Sequence, residues 1–238
     1  MKKDPAKEGF KIVVSKDGPY LVSGAIPLDV AVIVTDNDGH PTEWGKGKSF
    51  KVEANYALCR CGRSAGKPFC DGSHTKGFNG SETASMDKYL DQAQMIRGPK
   101  LTLTDVPSLC SSARYCHARE GSTWELVEHS DNNRLKELSI KQACNCPSGR
   151  LVMMDNKSPI EPKLAPSVSL VQDPEKEVSG PIWVKGSIPI ISSNGKKYEV
   201  RNRVTLCRCG RSVNKPFCDG AHIHEGFNDG DESLRRTR

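Results

Sequence analysis

Sixteen residues occur twice in this chain and constrain everything around them. CRCGRSAGKPFCDGSH runs from Cys59 to His74 and CRCGRSVNKPFCDGAH from Cys207 to His222, with 13 of 16 positions identical. Each copy offers three thiols and one imidazole at the same spacing: Cys59, Cys61, Cys70 and His74, then Cys207, Cys209, Cys218 and His222. The third cysteine and the histidine are four residues apart, so a helix would project both from one face. Asp71 and Asp219 follow the third cysteine and read as helix N-caps, which predicts a metal close to free backbone amides. The fold must gather two complete four-donor sets.

Three thiols and an imidazole also suit structural zinc in tetrahedral geometry. Zinc knuckles more often use C-x2-C, and the one-residue gap here makes a poor knuckle. The run C-x-C…P-x-C-D-G-[S/A]-H resembles the CDGSH (mitoNEET-type) iron–sulfur family. That resemblance implies a [2Fe–2S] cluster in each copy, with Cys59 and Cys61 on one iron and Cys70 and His74 on the other. In the second copy it implies Cys207 and Cys209 on one iron, Cys218 and His222 on the other. Ala221 stands where the first copy has Ser73, which removes a hydroxyl but no donor. Arg60, Arg63 and Lys67, with Arg208, Arg211 and Lys215, put cations beside the expected cluster charge and should favour its reduced state. A neutral imidazole is a protonatable ligand, so pH and cluster release become linked. A zinc-binding interaction module is the alternative.

The repeat begins well before the cysteines. GPYLVSGAIPL (Gly18–Leu28) aligns with GPIWVKGSIPI (Gly180–Ile190) at an offset of 162, whereas the cysteines are offset by 148, so the first copy holds 162 − 148 = 14 extra residues. These fall within Asp29–Lys51, around the hairpin-like DNDGHPTEWGKGK. Lys11–Val14 and Tyr20–Val22 read as short strands, and Tyr198, Val200 and Val204 alternate with charged residues as a half-buried strand would. Small sheets with open edges need partners. The expected fold is therefore α+β and strand-rich: CDGSH units at 11–82 and 178–230, each a β-cap with a cluster loop, folded together as an intramolecular pseudo-dimer. Glycines 62 and 210 are expected where a loop wraps its cluster closely, and Phe69 and Phe217 where they pack the following helix.

Between the repeats, 98–171 is expected to form a separate small α+β domain with cysteines of its own. Cys110, Cys116, Cys144 and Cys146 lie within 37 residues. Asp131–Gln142 reads as a capped helix. Cys146-Pro147-Ser148-Gly149 resembles the last ligand run of the divergent single-cluster ferredoxin-like domain. The resemblance supports Cys110, Cys116 and Cys146 as ligands of a third iron–sulfur cluster, with Cys144 and His117 competing for a fourth position. Ordinary buried or surface cysteines are the alternative. Pro159–Ser179 reads as an extended connector, and the tail after Phe227 as frayed.

Hydrophobic residues make up only 36% of 238, and the net charge is +6 with cations spread along the chain. A core that lean invites metal to supply folding free energy, and nothing beyond the sign of the charge favours nucleic acid. Residues 1–10 show no signal peptide, and no apolar run approaches a membrane span. With ten cysteines, these features predict a reducing, cytoplasmic location. No nucleotide-binding glycine loop, base–nucleophile pair or open-site metal motif is visible. The expected function is one-electron or cluster transfer to a redox partner or an apo-iron–sulfur protein, by a monomer, rather than catalysis. A redox enzyme using the middle domain is the other alternative.

Overall fold

The computed structural model describes residues 9–234. Residues 1–10, read above as showing no signal peptide, therefore fall almost wholly outside the described residues, as do the last four positions of the tail.

The first repeat supplies β1 (Lys11–Val14), β2 (Tyr20–Ser23), β3 (Leu28–Thr35), β4 (Pro41–Phe50) and β5 (Asn55–Leu58). The middle region supplies α1 (Tyr89–Gln92), β6 (Gln94–Arg97), β7 (Thr102–Asp105), β8 (His117–Ala118), β9 (Gly121–Ser122), α2 (Thr123–Glu128), α3 (Asn133–Asn145), β10 (Leu151–Asp155) and β11 (Ser158–Ile160). The rest is β12 (Ser167–Asp173), β13 (Val178–Lys185), β14 (Ile190–Ile191), β15 (Arg203–Leu206) and α4 (Ala221–His224). The result is a strand-rich α+β protein with short helices. The middle region builds its own sheet, β11-β10-β7-β6, with α2 and α3 against it. Its longest helix, expected over 131–142, runs over Asn133–Asn145, and Asn132 caps it by accepting from the amides of Arg134 and Leu135.

The two repeats exchange strands. One sheet runs β14-β1-β2-β5 and the other β15-β13-β12-β3-β4. In the first, β1 pairs in parallel with β14, Ile12 opposite Ile190; in the second, β12 pairs in parallel with β3, Val168 opposite Leu28. The lead bonds correspond: Ile12 N donates to Pro189 O at 2.9 Å, and Val168 N to Pro27 O at 2.9 Å. Pro27 and Pro189 are equivalent positions of the repeat, so each copy lends the strand after its Ile-Pro to the other copy. Ile12, Tyr20, Leu28, Leu58, Val168, Leu170, Ile182, Ile190 and Leu206 fill one apolar core between the sheets. Neither repeat encloses that core alone.

Three sequence readings change here. The expected connector contains β12, a nearly wholly buried strand at the centre of the five-stranded sheet. Its flanking prolines suggested a linker, and its polar residues find distant partners: Ser169 meets Asp29 and Lys185, Gln172 meets Asp229, and Asp173 meets Arg114. The tail up to Leu234 is anchored rather than frayed. Buried Asp229 pairs with buried Arg208, and Asp231 pairs with Lys48 at 2.9 Å. The half-buried alternation over 198–204 fails, because Val200 is exposed while Arg203 is 1% exposed. Arg203 bonds both Glu161 carboxylate oxygens and the carbonyls of Ala143 and Cys146, closing the C-terminal end of α3. The 14-residue surplus forms most of the β3–β4 hairpin, whose Trp44 stacks between Tyr115 and Trp183 and donates to Asn145 O at 3.3 Å. The surplus thus fastens the middle region to the shared sheet.

Ile12→Ala removes a fully buried side chain at the exchange point and should cost about 2–4 kcal/mol. Because the core is common, urea unfolding followed by circular dichroism should remain one transition. Two transitions separating the repeats would contradict a common core.

Candidate metal centres

Each cysteine loop is held to the sheets by the same bonds. Cys59 N donates to Pro68 O at 2.8 Å and Cys70 N to Ala57 O at 2.9 Å; Cys207 N to Pro216 O and Cys218 N to Thr205 O are both 2.9 Å. The Lys67–Pro68 and Lys215–Pro216 peptides are both cis. Phe69 and Phe217 do not pack a helix as expected. Phe69 meets Phe50 and Tyr56 edge-on, and Phe217 meets Tyr198. They root the loops in the strand core.

The donors gather in pairs. Cys59 and Cys61 bring their Sγ atoms to 3.7 Å, as do Cys207 and Cys209. Cys70 Sγ lies 3.3 Å from His74 Nδ1, and Cys218 Sγ 3.4 Å from His222 Nδ1. Among the described residues, the only set of three or more such donors lying within 4.8 Å of one another is Asp36, Asp38 and His40. Neither motif therefore closes its four donors around one point.

The expected helix geometry of the outer pair is not what forms. His74 sits in a three-residue 3-10 turn and His222 in the four-residue α4, with Gly72 and Gly220 at the caps. Each Asp instead ties two amides: Asp71 accepts from Ser73 N and Ala65 N, and Asp219 from Ala221 N and Val213 N. A carboxylate holding a loop closed replaces the helix cap the sequence suggested. Glycines 62 and 210 also have another reason. At φ +75° and +81°, a Cβ on Gly62 would stand 2.5 Å from Cys209 O, and one on Gly210 would stand 2.6 Å from Cys61 O. The close approach is of one cysteine loop to the other.

The basic residues divide by role. Arg60 is 1% and Arg208 4% exposed. Arg60 donates to Ser15 O and Gly80 O and lies over the Phe78 ring; Arg208 donates to Gly180 O and Val171 O and lies over the Phe227 ring. Both are clasps between a cysteine loop and neighbouring strands and turns. Lys67 and Lys215 donate to Ser64 O and Ser212 O within their own loops. Arg63 reaches Lys76 O, while Arg211 lies 3.3 Å from Glu225.

Burial makes Cys61 and Cys218 costly to ionise without a metal. Burial, then Cys207 and other neighbours, pushes Cys218 up. The contact between the Cys207 and Cys209 thiols sets them apart, raising Cys209 and lowering Cys207. Burial and Arg208 lower His222 to about 4, which keeps its ring neutral and available to a metal.

In the middle region Cys110, Cys116 and Cys146 line one small cavity with Arg150. Burial and the neighbouring Cys146 and Cys110 push the Cys116 thiol up to about 12. Cys144 is not with them. Its thiol points to Ile160 O at 3.8 Å. His117 stacks on Trp124 and lines a neighbouring cavity of about 310 Å³ with Cys110 and Cys116. Arg150 and Arg203, beside this cavity and at Cys146 O, were not singled out from the sequence; a buried arginine leaves no local pattern.

A family profile described as an iron-binding zinc finger of CDGSH type matches residues 17–75 and 179–223. A second, described as a divergent 4Fe-4S mono-cluster, matches residues 96–156. No curated protein and no solved structure matches the chain.

Asp229 tests the clasp at the second loop. Burial opposes its ionisation, but Arg208 and Ser179 prevail and lower it to about 2. A depressed carboxyl adds stability that is present above its unfolded value and lost as pH falls through about 2. Asp229→Asn should therefore cost about 2–4 kcal/mol at pH 7, where Arg208 is left without its counter-charge. Urea midpoints for the two proteins should converge as the pH is lowered from 5 toward 2.

Proposed function

The chain carries two CDGSH-type iron-binding regions around a divergent 4Fe-4S region, and on that premise we propose that it is an iron–sulfur electron carrier. Each motif holds a [2Fe–2S] cluster through three cysteines and one histidine, and Cys110, Cys116 and Cys146 hold a third cluster. The observation that carries this reading is the sorting of donors into pairs. Two thiolates about 2.3 Å from one tetrahedral metal stand about 3.8 Å apart, close to the 3.7 Å of each cysteine pair. A single zinc would draw in all four donors, whereas a two-iron cluster takes one pair on each iron. The reciprocal strand exchange supports reading 11–82 and 178–230 as an intramolecular pseudo-dimer under a common β-cap, with 98–171 inserted between its halves.

The buried thiols need positive charge to stay ionised, and iron supplies it. Imidazole in place of a fourth thiolate leaves each motif less negative and raises its potential over an all-cysteine site. Cluster donation to an apo-protein is the second reading. It is favoured by the first motif, where Cys70 and His74 are only half-buried. Neither reading involves catalysis on a substrate.

Iron and sulfide analysis with visible absorption tests the proposal. About four irons should belong to the two motifs and about four more to the middle region. Cys59→Ser with Cys207→Ser should abolish the [2Fe–2S] signals. Cys116→Ser should lower iron by about four per chain, and Cys144→Ser should leave it unchanged. Colourless protein with stoichiometric zinc overturns the reading. Exchanging His74 and His222 for cysteine should lower the reduction potential of both motif clusters, read by spectroelectrochemistry.

A further inference from the structure

The duplicated motifs are alike in sequence but not in surroundings, and the difference lies in what covers the outer donor pair. In the second motif Cys218 is 2% and His222 3% exposed, while Cys70 and His74 of the first are half-buried. Two elements lie over the second pair: β13, against which α4 packs, and the loop that carries the first middle-region cysteine. Gly220, between Cys218 and His222, has φ +87°; a Cβ there would collide with the Ser112 hydroxyl and stand 3.5 Å from Cys110 O. Asn214, in the same motif loop, donates to Ser108 O at 2.8 Å. Beyond this contact, the cavity of about 310 Å³ is walled by Cys110, Cys116 and His117 on one side and by Ile223 and His224 of α4 on the other. Among the described residues, the first motif has no such neighbour at its outer pair. There Gly18 approaches instead, a Cβ on it standing 3.8 Å from His74 Nε2.

We propose that the Cys110–Ser112 segment joins the middle centre and the second motif into one electron-transfer pair, with the first motif outside that pair. The proposal rests on reading all three donor sets as iron–sulfur sites. Its physical basis is that the loop carrying a ligand of one centre lies against the ligand loop of the other: Asn214 donates to Ser108 O, and Gly220 has no room for a Cβ beside Ser112. The step moves one electron and no atoms: the reduced middle centre is oxidised by one electron and the oxidised second centre is reduced by one. A one-electron protein donor supplies the electron. With its outer pair covered, the second motif receives its electron through this contact, and the half-exposed first motif faces external partners.

Electron paramagnetic resonance on the full-length holoprotein tests the pairing. Signals are assigned with Cys59→Ser, which removes the first motif's cluster, and Cys207→Ser, which removes the second. In wild type, a dithionite-poised redox titration should show the second motif's signal broadening and its half-saturation power rising several-fold as the middle centre becomes reduced. The first motif's signal should change far less. Cys146→Ser, which removes the middle cluster, should return the second signal to its narrow, slowly relaxing form. If the second signal is indifferent to the state of the middle centre in the wild-type titration, the proposal is wrong, whether or not the variant folds. Equal broadening of both motif signals also overturns it. Protein with no iron–sulfur signals at all would instead remove the reading beneath it.

Discussion

Two cysteine loops press backbone against backbone at Gly62 and Gly210, and the rest of the structure depends on that contact. Each glycine faces a carbonyl of the opposite loop, Cys209 or Cys61, at a distance that excludes any side chain. The contact is reciprocal, so it requires both loops at once. Each loop is itself formed only when its strand is in place: the amides of Cys59 and Cys207 bond across their own turns, and those of Cys70 and Cys218 bond back to the strands before the motifs. Those strands belong to sheets that each contain residues from both copies. Donor geometry, loop contact and strand exchange are thus one cooperative unit. A lean apolar fraction suffices because the apolar residues of both repeats share a single interior.

Buried arginines take the place that more hydrophobic residues would otherwise fill. Arg60, Arg203 and Arg208 are all nearly inaccessible and spend most of their donors on backbone carbonyls. A guanidinium presents five donors in a fixed fork, so one side chain can satisfy several carbonyls that turn away from regular sheets. Arg203 does this at the seam between the middle region and the shared sheet, meeting Ala143 O, Cys146 O and Glu161 together. Arg208 couples the second cysteine loop to Val171 of the central strand and to Asp229 of the tail. Of the three, Arg60 and Arg208 were expected to set cluster charge; in the structure both also act as structural clasps.

What the sequence revealed was local. The donor sets, β1 and β2, the inserted hairpin and the cap of α3 all depend on residues within a few positions of one another. What stayed hidden depends on partners far along the chain. The flanking prolines made β12 look like a linker, and nothing in 159–179 announces Asp29, Asp229 or Arg114 as partners of Ser169, Gln172 and Asp173. The i, i+4 spacing of Cys70 and His74 suggested a helix, but Asp71 folds the segment into a turn by reaching back to Ala65. The separation of Cys144 from Cys146 could not be read from a spacing of two, because it rests on where Arg203 and Ile160 stand.

The reciprocal exchange of strands has a consequence for how such a molecule can change. When two identical chains build a symmetric pair, every substitution appears on both sides, and neither half can acquire a feature the other lacks. Here the two halves are covalently one chain, and the symmetry is free to break. Tyr20 reaches across to Cys207 O at 2.8 Å, while its repeat partner is Ile182, which has no hydroxyl to return the bond. Among the described residues, the cysteine-bearing region between the repeats rests against the second motif loop. Two repeats within one chain can therefore present their cysteine loops to different surroundings.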